Sequence, residues 1–140
     1  MFNADTGILV AGLTNEVRTA DAQQWLAEQS AGELAISQWV DTEFSAALSM
    51  KLRMGQLQSS DRAEVLSAFA QLVAESFHIL PIGSMDSGVA ARYADQHATG
   101  LRAGDALHLA IAANQGARIR TLDKRLEAAA ESLGVSAALI

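Results

Sequence analysis

Apolar positions along this chain recur in two rhythms. Short apolar runs of strand length alternate with longer segments in which apolar residues return every three or four positions. A strand from Met1 ends at Asp5, and the apolar stretch that follows Thr6 predicts a short helix over Gly7–Leu13. Asn15–Gln29, with Val17, Trp25 and Leu26 among polar residues and Gly32 beyond, predicts a second helix. Leu34–Ile36 is a brief strand, and Ser37 is a candidate N-cap for a helix running to about Met54, with Gly55 after it. Ser60 or Asp61 caps a helix reaching Ser76, and Phe77–Ile82 is a strand ended by Pro81 and Gly83. Ser84–Ala98 is helical, and Thr99-Gly100 breaks it from the next helix, Arg102–Gln115, whose C′ residue is Gly116. The strand Arg118–Thr121, the helix Asp123–Leu133, a turn at Gly134 and a last strand over Val135–Ala138 complete the chain. Strands alternating with helices predict an α/β fold, a central mostly parallel sheet flanked by helices. With no repeats or linkers, residues 1–140 read as a single domain.

Composition narrows the function classes. Half the residues are apolar, which excludes a disordered chain. A domain of this length buries about 70% of its unfolded surface. There is no cysteine, so disulfides, thiolate metal sites and cysteine nucleophiles are excluded and a reducing compartment is natural. No apolar run is long enough to span a bilayer, and the first residues lack the basic and apolar regions of a signal peptide, so a cytoplasmic protein with no membrane partner is expected. The net charge of −6 argues against a sequence-independent DNA binder of the basic-patch kind. It leaves room for a nuclease whose negative site is neutralised by metal.

Four acids stand where a parallel sheet places its working crevice, beyond the carboxyl ends of the strands. Asp5 ends the first strand and Asp123 follows the strand Arg118–Thr121. Asp105 lies in the first turn of its helix, on a wheel face with Leu101, Leu109 and Ala112. Glu43 shares a face with Trp39, Ala47, Met50 and Met54, whereas Asp41 points to the opposite, solvated side. Taken singly, each has a structural explanation. Asp5 and Asp123 suit helix caps, Asp105 suits the helix dipole, and Glu43 suits a buried ion pair with an arginine. His108, three residues from Asp105, reads as a core histidine rather than a ligand; Thr121 reads as a strand residue, and Arg102 as solvated or paired with Asp105. Together at one edge the acids repel one another unless a cation is present. Oxygen ligands without thiolates favour Mg²⁺ or Mn²⁺, and such a cluster suits phosphodiester hydrolysis.

The chain resembles the PIN-domain ribonucleases, in particular the VapC-like toxins of bacterial toxin–antitoxin pairs. The segments that carry the resemblance are ADTGILVAGL, VDTEFSAAL, LRAGDALHLAIA and RTLDKRLEAAAESLGV, and they span nearly the whole chain. LRAGDALHLAIA is the most specific of them. The resemblance implies a PIN-like fold and an Mg²⁺-dependent endoribonuclease in which Asp5, Glu43, Asp105 and Asp123 are the catalytic, metal-binding quartet. Thr6 and Thr121 correspond to hydroxyls that support the quartet by hydrogen bonds. Gly7 departs from the Ser or Asn common at that position, and Asn3 from an otherwise apolar first strand. The resemblance further implies a cognate antitoxin protein as partner, homodimers that assemble with it, and RNA as substrate. An inhibitory arginine from the antitoxin would match the carboxylates bidentately. The apolar residues of Ala22–Glu28 and Ser60–Ser76 either fill the core or serve such a contact.

Other classes place acids similarly. A phosphoacceptor signalling domain has an acid after its first strand, but also a pair of neighbouring acids and a lysine after a late strand; Lys124 alone fits. A dehalogenase-type phosphatase needs a second Asp two residues after Asp5, where Gly7 stands. A non-catalytic binding module on the same fold has no need of four acids.

Overall fold

Five short strands lie side by side in the computed structural model, which describes residues 1–140. They are β1 (Phe2–Ala4), β2 (Leu34–Ser37), β3 (Phe77–Leu80), β4 (Arg118–Thr121) and β5 (Ala137–Leu139). Every pairing is parallel, in the order β3-β2-β1-β4-β5. Seven α-helices connect and cover them: α1 (Thr6–Leu13), α2 (Thr19–Ala27), α3 (Trp39–Arg53), α4 (Ser59–Ser76), α5 (Asp86–Ala94), α6 (Ala103–Asn114) and α7 (Lys124–Ser132). The expected parallel α/β architecture is therefore the observed one. The chain reverses its direction of winding at β1, so the crevice of the sheet opens where β1 and β4 end.

Alternate strand residues feed two cores, as a strand's period of two requires. Ala4 of β1 and Ile36 of β2 point to one face, where Ile8, Leu9, Val40, Phe44 and Leu48 are fully buried. There Phe44 stacks on Phe69 of α4 with ring centroids 4.1 Å apart. Ala35 and Ile119 point to the other face and pack with Leu109, Ile111 and Ala112 of α6. Truncating a side chain as enclosed as Leu109 typically costs about 2–5 kcal/mol. The cores hold β1, β4, α3 and α6 at fixed spacing, and these elements carry the acids.

Several boundaries differ from the sequence reading, each for a local reason. α2 starts at Thr19, not Asn15: the Thr19 hydroxyl accepts from the Glu16 N–H and donates to the Ala11 carbonyl, closing a turn, and Val17 is fully exposed. Ser37 is the last residue of β2 and wholly buried, so Gln38 precedes α3 instead. α4 begins at Ser59, and neither Ser60 nor Asp61 caps it. β3 stops at Leu80, where its partner β2 ends at Ser37; beyond it the Ile82 N–H bonds the Gln38 side chain instead of a strand carbonyl. The segment Ser84–Ala98 divides into α5 and a single 3₁₀ turn, His97–Thr99. The last strand sits two residues later than expected, over Ala137–Leu139, pairing with Ile119–Thr121. The apolar residues of α2 and α4 are spent on the first core: Trp25, Leu26, Val65, Leu66, Leu72 and Val73 pack against it. The exposed large apolar side chains lie elsewhere, including Met50, Met54, Ile79, Ile82 and Met85.

Candidate functional site

Asp5 follows directly on β1. Its backbone is extended and its N–H bonds the Arg120 carbonyl of β4, which ties the end of one strand to the next. It stands at the N-cap of α1 but makes no capping bond. Its Oδ2 instead accepts a 2.7 Å hydrogen bond from the Thr121 hydroxyl, and that hydroxyl accepts the Asp123 N–H at 3.0 Å. A single threonine thus joins the two acids that end β1 and β4. Asp123 does cap its helix: Oδ1 accepts from the Arg125 and Leu126 N–H groups, and the residue is exposed.

Glu43 comes from α3 and is half-buried. The Thr6 hydroxyl donates to its Oε2. No arginine pairs with it; the ion pairs of the protein are Arg18–Asp21, Lys51–Glu16 and the approach of His108 to Asp5. Its helix face is buried only in part, because Met50 and Met54 are exposed. Asp41, two residues earlier, is exposed as expected. Burial raises the Glu43 carboxyl above its ordinary pKa. The Thr6 bond and nearby His108 oppose that, and Asp5 adds to it. The indole N–H of Trp39 also faces this carboxylate, without completing a bond of good geometry.

Asp105 lies in the first turn of α6, half-buried. Burial is the main cause of its raised pKa, and the fields of Asp5 and Asp123 push it higher, against the Arg102 N–H and His108. Arg102 is exposed and forms no ion pair with Asp105. The acids, far apart in sequence, therefore sit within one another's fields. Three features of this edge carry no sequence signal of their own. Trp39 turns its indole toward Glu43. Gly104 lets α6 approach so closely that a Cβ there would lie 3.2 Å from Glu43 Oε1. His108 is 1% exposed, as a core histidine should be, yet its Nε2 lies 3.7 Å from Asp5 Oδ1.

The donor set is all oxygen, and burial and neighbouring acids oppose the ionisation of Glu43 and Asp105. That suits a hard divalent cation such as Mg²⁺ or Mn²⁺, which removes both penalties. As they stand, no three of the His, Asp and Glu side chains converge on one point at coordination distance. Between α6 and α7 a small pocket of about 90 Å³ is lined by Arg102, Asp105, Asp123 and Arg125. A larger cleft, about 490 Å³ beside Arg92 and Tyr93, contains no acid.

Comparison with known proteins agrees with this fold. None of the curated proteins compared with the chain matches it in sequence. Among solved structures, the chain is similar to FitAB bound to an IR36 DNA fragment, at 20% identity and TM-score 0.70, over 99% of this chain and 94% of that one. It is similar to VapBC2 from Rickettsia felis bound to a DNA fragment from its promoter, at 15% identity and TM-score 0.70, over 99% and 97%. It is also similar to VapC20 from Mycobacterium tuberculosis, a sarcin-ricin loop cleaving toxin, at 17% identity and TM-score 0.72, over 92% and 95%. At such identities the likeness speaks for the fold alone. The sequence model of the PIN domain matches residues 4–132, from the residue before Asp5 to the end of α7. The chain belongs to the PIN domain family.

Proposed function

We propose that the protein is a metal-dependent endoribonuclease, the toxin of a toxin–antitoxin pair, with Asp5, Glu43, Asp105 and Asp123 holding Mg²⁺ or Mn²⁺. The observation that carries the reading is the gathering of acids from separate elements at one sheet edge, where like charges repel: the Thr121 hydroxyl joins Asp5 to Asp123, Asp105 and Asp123 line one pocket, and Thr6, next to Asp5, holds Glu43. Independent structural carboxylates have no reason to gather at one sheet edge against that repulsion. When bound, the ion supplies neutralisation of the scissile phosphate and a more acidic water. Thr121 orients Asp5 and Thr6 orients Glu43, each fixing one carboxylate oxygen. Asp123 uses one oxygen on the α7 N-terminus, which leaves the other free. Arg102 and Arg125, exposed beside Asp105 and Asp123, suit phosphates flanking the scissile bond. No pair of sequence-adjacent acids ends a strand, so the phosphoacceptor reading lacks the acid pair it requires.

The similar VapC20 is a toxin by its printed name, and the resemblance of this chain to VapC-like toxins implies an antitoxin partner. A cognate antitoxin, set on a homodimer of this chain, is accordingly part of the proposal. The test of the activity is incubation of purified protein with total RNA in Mg²⁺ or Mn²⁺. Endonucleolytic fragments that vanish with EDTA are expected; RNA left intact under every metal condition would overturn the assignment.

A further inference from the structure

Behind Asp5 the protein is polar where a core should be apolar. Every buried side-chain nitrogen or oxygen without a hydrogen-bond partner belongs to Asn3, Ser37, Trp39 or His108. Asn3 and His108 each leave both of their polar side-chain atoms unpaired, at 0% and 1% exposure. All four residues belong to the α6 side of the sheet. Asn3 is in register with Ala35 and Ile119, which pack with Leu109 of α6. Ser37 lies two residues beyond Ala35 on the same face, and Trp39 packs against the same core. An apolar side chain in place of His108 would fill that space without stranding two nitrogens. Native interiors seldom leave so many groups unpaired without a bond that forms in the working state or a buried water.

The nearest acceptor is Asp5. Its Oδ2 is held by Thr121, while Oδ1 faces His108 Nε2 at 3.7 Å, about 0.8 Å beyond an ordinary N–H···O bond. We propose that His108 is a positioning residue for Asp5. Its Nε2–H donates to Oδ1, directly or through one water, when the site contracts. Each Asp5 oxygen then has one fixed donor and lone-pair capacity left for a cation, held from β4 on one side and from α6 on the other. The inference rests on the metal-site reading of Asp5 and assigns to His108 no ligand role of its own.

The experiment is Mn²⁺ titration of the purified full chain by calorimetry, for wild type, His108→Leu and His108→Gln, alongside RNA cleavage kinetics and metal-free melting. Loss of a group that orients a ligand typically weakens metal binding about 10–100-fold. His108→Leu is expected to bind Mn²⁺ weaker by about that factor and to lower kcat with KM for RNA unchanged. Its metal-free melting temperature is expected to hold or rise, since the unpaired nitrogens are gone. His108→Gln keeps an N–H donor and is expected to recover most of the affinity. Wild-type Mn²⁺ affinity in a folded His108→Leu variant would overturn the proposal, and so would a folded His108→Gln variant as weak as His108→Leu. Should His108→Leu fail to fold, a crystal structure of the wild type with Mn²⁺ decides: His108 bonded to Asp5 supports the role, and both ring nitrogens bonded elsewhere defeat it. Wild-type protein that binds no Mn²⁺ is a separate result, and it removes the metal-site reading itself.

Discussion

Asp5 and Asp123 both stand at the N-cap of a helix, and only Asp123 acts as one. The contrast gives isosteric substitutions different meanings. Asn caps as well as Asp, so Asp123→Asn should leave α7 intact while removing a charge. Asp5→Asn can still accept the Thr121 hydroxyl and takes no cap away. Both variants are expected to melt, without metal, at or above the wild-type temperature, because a repelling charge is gone. Both should lose on the order of 10²–10³ in RNA cleavage rate, the usual effect of removing one positioned electrostatic group. Glu43→Gln and Asp105→Asn should behave alike, and Asp41→Asn, on the exposed side of α3, should be silent. Full cleavage by Asp5→Asn protein free of wild-type nuclease would contradict this. At this scale the acids were legible because carboxylates on apolar faces are conspicuous in sequence. Trp39, Gly104 and His108 were not, because their significance lies only in which residues of other elements they meet.

α6 and β4 were legible almost to the residue. The Ala/Leu/Ile-rich stripe of α6 has a strong helical period, and Gly116, at φ 63°, is the left-handed residue that ends it. The stretch before α2 misled, since a threonine-centred turn has no periodicity to betray it. The approach of α6 to α3 was also invisible, and it is where an element-level test lies. A methyl group at position 104 would press on Glu43 Oε1 at 3.2 Å and on the Trp39 indole nitrogen at 3.3 Å. Helix propensity alone favours Ala over Gly by about 1 kcal/mol. Gly104→Ala should therefore melt no lower than wild type while losing about tenfold or more in Mn²⁺ affinity, because a ligand has been displaced within a rigid site. Melting and calorimetry on the same preparation check it; wild-type affinity would mean that Glu43 yields freely and that the close approach serves packing only.

Over the whole molecule the site should set how stability responds to pH and metal. The Glu43 and Asp105 carboxyls are raised in the folded protein, by burial first and by neighbouring acids second. A raised carboxyl binds its proton more tightly folded than unfolded, so metal-free stability falls as pH rises from the ordinary carboxylate range through the raised folded values. Metal binding needs the ionised carboxylates, so stabilisation by Mn²⁺ should grow over the same interval. At about 100 times its dissociation constant the ion should add roughly 2.7 kcal/mol. Melting curves with Mn²⁺ and with EDTA from acid to neutral pH should diverge as pH rises; parallel curves would contradict a shared site. The claim that bound metal unites acids from four parts of the chain is tested most directly by Mn²⁺ titration of wild type, Asp5→Asn, Glu43→Gln, Asp105→Asn, Asp123→Asn and Asp41→Asn. The expected result is saturable binding by wild type and Asp41→Asn and a marked loss of affinity in each of the other four. No binding by wild type, or undiminished binding by Asp5→Asn and Asp105→Asn, would contradict the account.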